Sequence, residues 1–426
     1  MSLPRAFSED LNAGLNKCRQ QRLYLQTSPS PDGSSVVDFS SNDSLALRSS
    51  EALRKEFFRQ LGQRPLYLGA GSSRVLDGSS KQVMELEARL AAYHGAKDGL
   101  LFNSGYEANV AIFSNLPHPG DAIVYDNLIH ASIIDGSQAS QATIVRSFKH
   151  NDVHSLRQVL ENIKAESLDI VEGRRTVFVS FESFYSMDGD VAPIRDILDI
   201  VKQALPAGNF VFIIDEAHSV GLIGPHGSGL AAHLGLEKEL HIQMQCYTKA
   251  PGASCGIVLC DSLVRQFLVN YARSLIYSTG PTFPTVALLN ASINILKSSE
   301  GDRRREQLHN NIKLFYDTIA KQTQWEMVQH SGVLRIPTMR SSDVVRYNVP
   351  IVPLVTAVGL CHNLQAWLLR CGYRTYAFTF PVVPRTKERV RLMLNAEHTP
   401  EQIFNAVQAL MVWAERHLLF NKGSRL

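Results

Sequence analysis

Phe210-Val211-Phe212-Ile213-Ile214 runs without a polar residue into Asp215-Glu216-Ala217-His218, and the reading of that junction decides the fold. Five successive apolar residues, β-branched or aromatic, fit a strand covered on both faces, the mark of a mostly parallel sheet between helices. An acid and a histidine then stand where the strand leaves the sheet, the edge at which α/β folds carry their chemistry. Downstream, Tyr247-Thr248-Lys249-Ala250-Pro251-Gly252 places a lysine ahead of a second such run, Gly256-Ile257-Val258-Leu259-Cys260. Acid, histidine and lysine are therefore expected on the framework of one sheet.

Outward from this core, strand-like runs recur at Gly99–Phe102, Ala122–Tyr125, Thr143–Val145 and Thr176–Val179, with helical patterns at Val83–Tyr93, Val153–Ile163 and Pro193–Ala204. The alternation predicts an α/β fold with a mostly parallel sheet in a large domain. Leu11–Leu25 reads as a helix and Ser28–Gly33 as a turn. Gly69-Ala70-Gly71-Ser72-Ser73 reads as a glycine-rich loop. Beyond Pro284 a long helical stretch, Val286–Lys321, is interrupted by the charged run Glu300–Glu306, and a strand at Val349–Val355 and a helix at Thr399–Phe420 follow. The expected division is residues 1–50, packing with the small domain, a large domain at 51–285 and a smaller α+β domain at 286–426.

A net charge of +3 over 426 residues is too mild for a nucleic-acid partner, and no basic run is interleaved with aromatics. The most apolar stretch, Val349–Leu360, is broken by Pro350 and Pro353, so no membrane span is expected. Cys18, Cys246, Cys255, Cys260, Cys361 and Cys371 have neither C-x-x-C nor zinc spacing, which predicts reduced thiols and no metal site. The chain ends Ser424-Arg425-Leu426, a close variant of the Ser-Lys-Leu address, so peroxisomal delivery is expected, and a cytoplasmic location otherwise.

Asp-Glu-Ala-His also marks one class of helicases, where the acid serves magnesium beside a phosphate loop. That loop requires Gly-Lys-Ser/Thr, and the chain contains no Gly-Lys pair. A purely structural Asp-His pair is the common case for a lone match. Here further segments accompany it: His130-Ala131-Ser132, Ser186-Met187-Asp188-Gly189-Asp190-Val191-Ala192-Pro193, Gly221, Ile276-Tyr277-Ser278-Thr279 and Arg389-Val390-Arg391. Together, from Asp38–Asp43 to Glu397-His398-Thr399, they resemble the α-oxoamine synthase family of fold-type I pyridoxal-phosphate enzymes, in its biotin-pathway branch.

The resemblance implies pyridoxal 5'-phosphate as cofactor and a decarboxylative condensation of L-alanine with pimeloyl-CoA. It implies Lys249 as the Schiff-base lysine and base, Asp215 as partner of the pyridine nitrogen, and His218 at the ring's phenolic oxygen. His130 matches the histidine on the ring face and Ser186 a hydroxyl near the phenolic oxygen. Ser104, Gly105 and Tyr106, at a strand-to-helix turn, match the phosphate cradle, with Thr248 beside it. Ser278 and Thr279 match positions that reach the phosphate across a homodimer interface. Arg391 matches the carboxylate-binding arginine, a task for a planar fork, and Asn42 a substrate contact. Departures stand at Cys246, where the family has threonine or serine, and at Val83, Ser44 and Thr379; the last bears on the acyl substrate. Other readings are an α-oxoamine synthase of secondary metabolism with a different amino acid or acyl thioester, an aminotransferase of the same fold, and a catalytically silent partner subunit.

Overall fold

The computed structural model describes residues 3–20, 24, 27, 36–62 and 67–423. The turn expected at Ser28–Gly33 and the tripeptide Ser424-Arg425-Leu426 lie outside them. By its contacts the chain divides into two units, residues 1–36 and 37–426. The first holds a helix at Arg5–Gln20. It begins upstream of the expected Leu11 because Phe7, Leu11 and Leu15 already repeat at helical spacing, and the expected end at Leu25 lies outside the described residues.

In the second unit the strands are, in chain order, β1 (Val37–Asp38), β2 (Asp98–Phe102), β3 (Ala122–Asp126), β4 (Ile144–Phe148), β5 (Val177–Glu182), β6 (Phe210–Asp215), β7 (Ile242–Cys246), β8 (Gly256–Cys260), β9 (Leu334–Arg335), β10 (Ile351–Thr356), β11 (Tyr373–Arg374), β12 (Tyr376–Phe378) and β13 (Arg389–Met393). β2 to β8 form one sheet in the order β2-β8-β7-β6-β5-β3-β4. β8 runs antiparallel to β2 and β7, and the remaining pairings are parallel. The fold is α/β with a mostly parallel sheet.

Burial on both faces follows from the strand period of two. Phe212 and Ile214 join one apolar cluster with Val179, Phe181 and Ile257, whereas Ile213 joins the opposite one with Phe178, Met244 and Val258. Each such side chain contributes roughly 1.5–3 kcal/mol by leaving water. Helices close both faces; in Ile194–Ala204 the buried stripe Ile194, Ile197, Leu198, Val201 has helical spacing.

β7 was not expected from the sequence. Its Ile-Gln-Met-Gln-Cys pattern suggests one wet face, yet all of it is buried. The glutamines are satisfied inside: Gln243 Nε2 donates to the Glu237 carbonyl (3.1 Å) and Gln245 Nε2 to Glu216 Oε2 (2.7 Å). The long helix expected at Val286–Lys321 is two, Phe283–Leu296 and Ser299–Ala320. The break falls at Lys297-Ser298, and the charged run Glu300–Glu306 lies inside the second helix, where Glu300 pairs with Arg303 and Arg304 one turn on.

β12, β13, β10 and β9 form a separate antiparallel sheet, and β1 pairs with β11. Residues after β1 sit among these carboxy-terminal elements: Phe39 packs on His398 (4.0 Å), and Arg304 donates to the carbonyls of Leu45 and Ala46.

Candidate active site

The carboxyl ends of five strands deliver Phe102, Asp126, Glu182, Asp215 and Cys246 to one edge of the sheet. Glu182, Asp215 and Cys246 there help line a cleft of about 320 Å³ whose walls include Ser104, Gly105, Tyr106, His130, His218, Thr248 and Lys249 as well. Eight of the sequence-predicted site residues are thus brought together.

Asp215 closes β6 and is almost fully buried. Its Oδ1 accepts from the Ala217 amide (2.9 Å) and its Oδ2 from Asn109 Nδ2 (2.8 Å). The same amide nitrogen donates to Ser132 Oγ (3.0 Å), and that hydroxyl lies 2.7 Å from His130 Nδ1. Because Ser132 Oγ already accepts from Asn109, its hydrogen points to Nδ1, and the Ser132 amide does so too (3.3 Å). This network assigns the neutral His130 tautomer that carries its proton on Nε2. The packed surroundings hold the His130 pKa below the usual value, with Asp215 opposing and Lys249 reinforcing. His218 is held well below by burial, then by Lys249, Arg391 and His130, so it too is neutral.

Glu182 ends β5 and is paired in register with Asp215, so the two carboxyl groups stand side by side at the cleft. Burial, then the Asp215 charge, raises the Glu182 pKa well above the carboxylate range. The shift favours the protonated form of its carboxyl group beside Asp215.

The helix Gly105–Asn115 opens onto the cleft, capped by Ser104 Oγ, which accepts from the Glu107 amide (3.1 Å). Glycine at 105 lets the helix start pack closely: a Cβ there would lie 3.0 Å from Cys246 Sγ, a tight contact. Cys246 is consequently packed beneath the helix start, and its sulfur lies 3.1 Å from the hydroxyl of Thr248, which is exposed on the cleft. Tyr106 stands edge-on to His130 (6.2 Å) and its hydroxyl bonds the Asp135 carboxylate. Behind the lysine loop, the Tyr247 hydroxyl meets the buried ring of His94 at Nε2 (2.7 Å), and His94 Nδ1 donates to the Ser228 carbonyl (2.9 Å).

The remaining expected residues lie apart from the cleft walls. Arg391 is buried on β13, its pKa drawn down to about 10 by burial, and its Nη1 donates to the Ser186 carbonyl (3.1 Å). It remains charged at neutral pH and acts on His218. Asn42 lies in the half-buried turn after β1. Ser278 and Thr279 sit beside Asn103 and Arg74, outside the cleft of their own chain.

The family model for aminotransferases of class I and II matches residues 34–410 of this chain. The chain belongs to the class I and II aminotransferase family. The chain is 42% identical over 424 residues, 97% of each chain, to the 8-amino-7-oxononanoate synthase of Emericella nidulans, and 36% identical over 389 residues, 91% of this chain and 83% of the other, to the aminoacyl transferase sphA of Aspergillus fumigatus. Among solved structures, a serine palmitoyltransferase from S. paucimobilis, with a bound PLP–myriocin aldimine, has the same fold: TM-score 0.78 at 23% identity, covering 98% of this chain and 99% of that one.

As a member of this family the enzyme depends on pyridoxal phosphate. The residues present fit that group: a capped helix start opened by a closely packed glycine, a buried carboxyl group at a strand end, and a lysine on the same cleft. Sequence reasoning missed Asn109 and Glu182. Glu182 escaped because the expected strand stopped at Val179, and Asn109 because it lies one helical turn beyond Gly105.

Proposed function

We propose that this enzyme joins L-alanine to pimeloyl-CoA, releasing carbon dioxide and CoA and yielding an α-amino ketone, the condensation that opens biotin synthesis. The observation that carries this reading is the end-to-end match to the synthase of Emericella nidulans. In it, Ser104, Gly105, Tyr106 and Thr248 hold the phosphate of the cofactor, while His130, Ser186, Asp215 and His218 hold its ring. Once bound, the cofactor supplies an electron-withdrawing ring that makes the amino acid's α-proton removable. Asp215, as the anionic neighbour, keeps the ring nitrogen protonated. Arg391 takes the alanine carboxylate in its planar fork, helped by Asn42. Lys249 holds the cofactor covalently, removes the α-proton once alanine has displaced it, and returns a proton after carbon dioxide has left. The neutral His130 and His218, with a Glu182 whose protonated form is favoured, spare the cleft further charges that would compete with these pairs.

A second reading, with another amino acid or acyl chain, is favoured by the 36% identity to aminoacyl transferases. CoA and carbon dioxide release, measured for alanine, glycine and serine against pimeloyl-, octanoyl- and palmitoyl-CoA, separates the two. Alanine with pimeloyl-CoA is expected to exceed every other pair by about tenfold or more in kcat/KM. A larger kcat/KM for another pair moves the assignment to that pair, and keto-acid release without CoA removes the condensation altogether.

We also propose a homodimer in which Ser278 and Thr279 of one copy complete the phosphate site of the other. Large apolar side chains left exposed near these residues support it, Leu76 at 70% and Tyr277 at 72%. The loop that bears Leu76 is tied to Thr279 through a bridge at Ser73. Light scattering is expected to give twice the 47.4 kDa chain mass; a monomer at working concentration would overturn this arrangement.

A further inference from the structure

Asp126 closes β3 and has no solvent exposure. Just beyond β4, His150 lies between it and Asp190: Nδ1 is 2.9 and 3.1 Å from the Asp126 oxygens, and Nε2 is 2.7 Å from Asp190 Oδ2. With a carboxylate at each nitrogen, both ring nitrogens are donors, and the ring is an imidazolium. Burial opposes the charge, but the hydrogen bonds to Asp126 and Asp190 prevail and raise the pKa to about 10. Asn151, held at φ +51, completes the clamp: its amide donates to Asp126 Oδ2 (2.8 Å) and its side chain to Asp190 Oδ2 (3.0 Å). Tyr185 packs edge-on against the imidazolium ring at 4.4 Å.

Asp190 ends the loop Ser186-Met187-Asp188-Gly189-Asp190, whose opposite side is gripped by β13. Arg389 Nη1 donates to the Met187 carbonyl (3.0 Å) and pairs with Asp188, and Arg391 donates to the Ser186 carbonyl (3.1 Å). Between the two grips the loop lies close against β10: a Cβ at Gly189, φ +63, would sit 2.4 Å from the Ile351 carbonyl oxygen. The loop is thus fixed to the large sheet through His150 and to the small sheet through two arginines. Ser186 is the point where it meets the guanidinium of Arg391.

We infer that His150 is a positioning residue for amino-acid recognition: by clamping Asp190 to Asp126 it fixes the Ser186 carbonyl, and that carbonyl sets the direction in which Arg391 presents its remaining N–H groups to the substrate carboxylate. The inference rests on the reading of Arg391 as the carboxylate fork. Preorganisation of this kind acts on binding, because a fork that must first be turned loses part of its affinity in doing so.

The test measures His150→Ala, Arg391→Lys and the double variant in the pyridoxal-phosphate-loaded enzyme, with alanine affinity read both as KM and from the change in visible absorbance on adding alanine. His150→Ala is expected to weaken alanine binding about tenfold or more, while kcat at saturating alanine and the affinity of the apoenzyme for pyridoxal phosphate change less than about threefold. The double variant should bind alanine little worse than Arg391→Lys, since both act through one fork. Unchanged alanine affinity in His150→Ala, an additive double variant, or a loss confined to kcat each overturns the inference. Arg391→Lys that leaves alanine affinity intact instead overturns the assignment of the fork. Should His150→Ala not fold, Asp190→Asn carries the same expectations through the other end of the clamp.

Discussion

Lys249→Ala is expected to lower the rate of CoA release by about three to six orders of magnitude, while the protein keeps its fold. The second half of that statement follows from where the lysine sits. Its loop is held by the main chain: the Gly252 amide donates to the Lys249 carbonyl (2.9 Å) and the Ala253 amide to the Tyr247 carbonyl (2.9 Å). Gly252 turns at φ +66 against Leu47, and Tyr247 is anchored on His94. None of these contacts uses the amine, and the lysine side chain is half-buried at the cleft. Its removal therefore takes away chemistry rather than packing. Two measurements follow: thermal unfolding within a few degrees of wild type, and loss of borohydride-fixed cofactor mass from the chain. Normal turnover by Lys249→Ala, or cofactor still fixed by borohydride, would remove the lysine from its role.

The junction at Ile214-Asp215 was legible because its physics is local. A strand buried on both faces must be apolar throughout, and a charge following it must lie at an edge. The same reasoning located β2, β3, β8 and most of β5. It failed at β7, where Gln243 and Gln245 are buried but find partners, Glu237 and Glu216, that only the folded chain brings near. Glu182 failed for a related reason: a carboxyl group buried at a strand end reads as a loop residue until its register with Asp215 is known. Asn109 fills a role defined by Asp215 and Ser132, residues far from it in sequence. Lys297-Ser298 broke a helix that the charged run after it did not, since charges at helical spacing pair with one another. Arg391, Asn42 and the Ser278-Thr279 pair came from resemblance alone; neither their burial nor their partners follow from local pattern.

Asp215→Asn and Glu182→Gln replace neighbouring carboxyl groups by the same amide, and their effects are expected to differ by orders of magnitude. Asp215 accepts from two donors, Asn109 Nδ2 and the Ala217 amide, one on each oxygen. An asparagine can satisfy one of them and must turn its own N–H₂ toward the other, at a cost of about 1–3 kcal/mol. In the proposed role it also deletes the carboxylate that pairs with the ring nitrogen, so kcat is expected to fall by about two to four orders of magnitude. The raised pKa of Glu182 favours its protonated form, which an amide resembles in shape and charge; kcat for Glu182→Gln should stay within about tenfold of wild type. The stability effect has the opposite sign. Above the ordinary carboxyl value of 4.5 the unfolded chain releases a proton that folded Glu182 retains. The contribution of Glu182 to stability is accordingly fully present below that value and is lost as pH rises toward the raised folded pKa. Glu182→Gln lacks that loss, so its melting temperature relative to wild type should climb between about pH 5 and pH 8. A flat difference across that range, or a Glu182→Gln enzyme as slow as Asp215→Asn, would mean that Glu182 is ionised and that the cleft works with two anions rather than one.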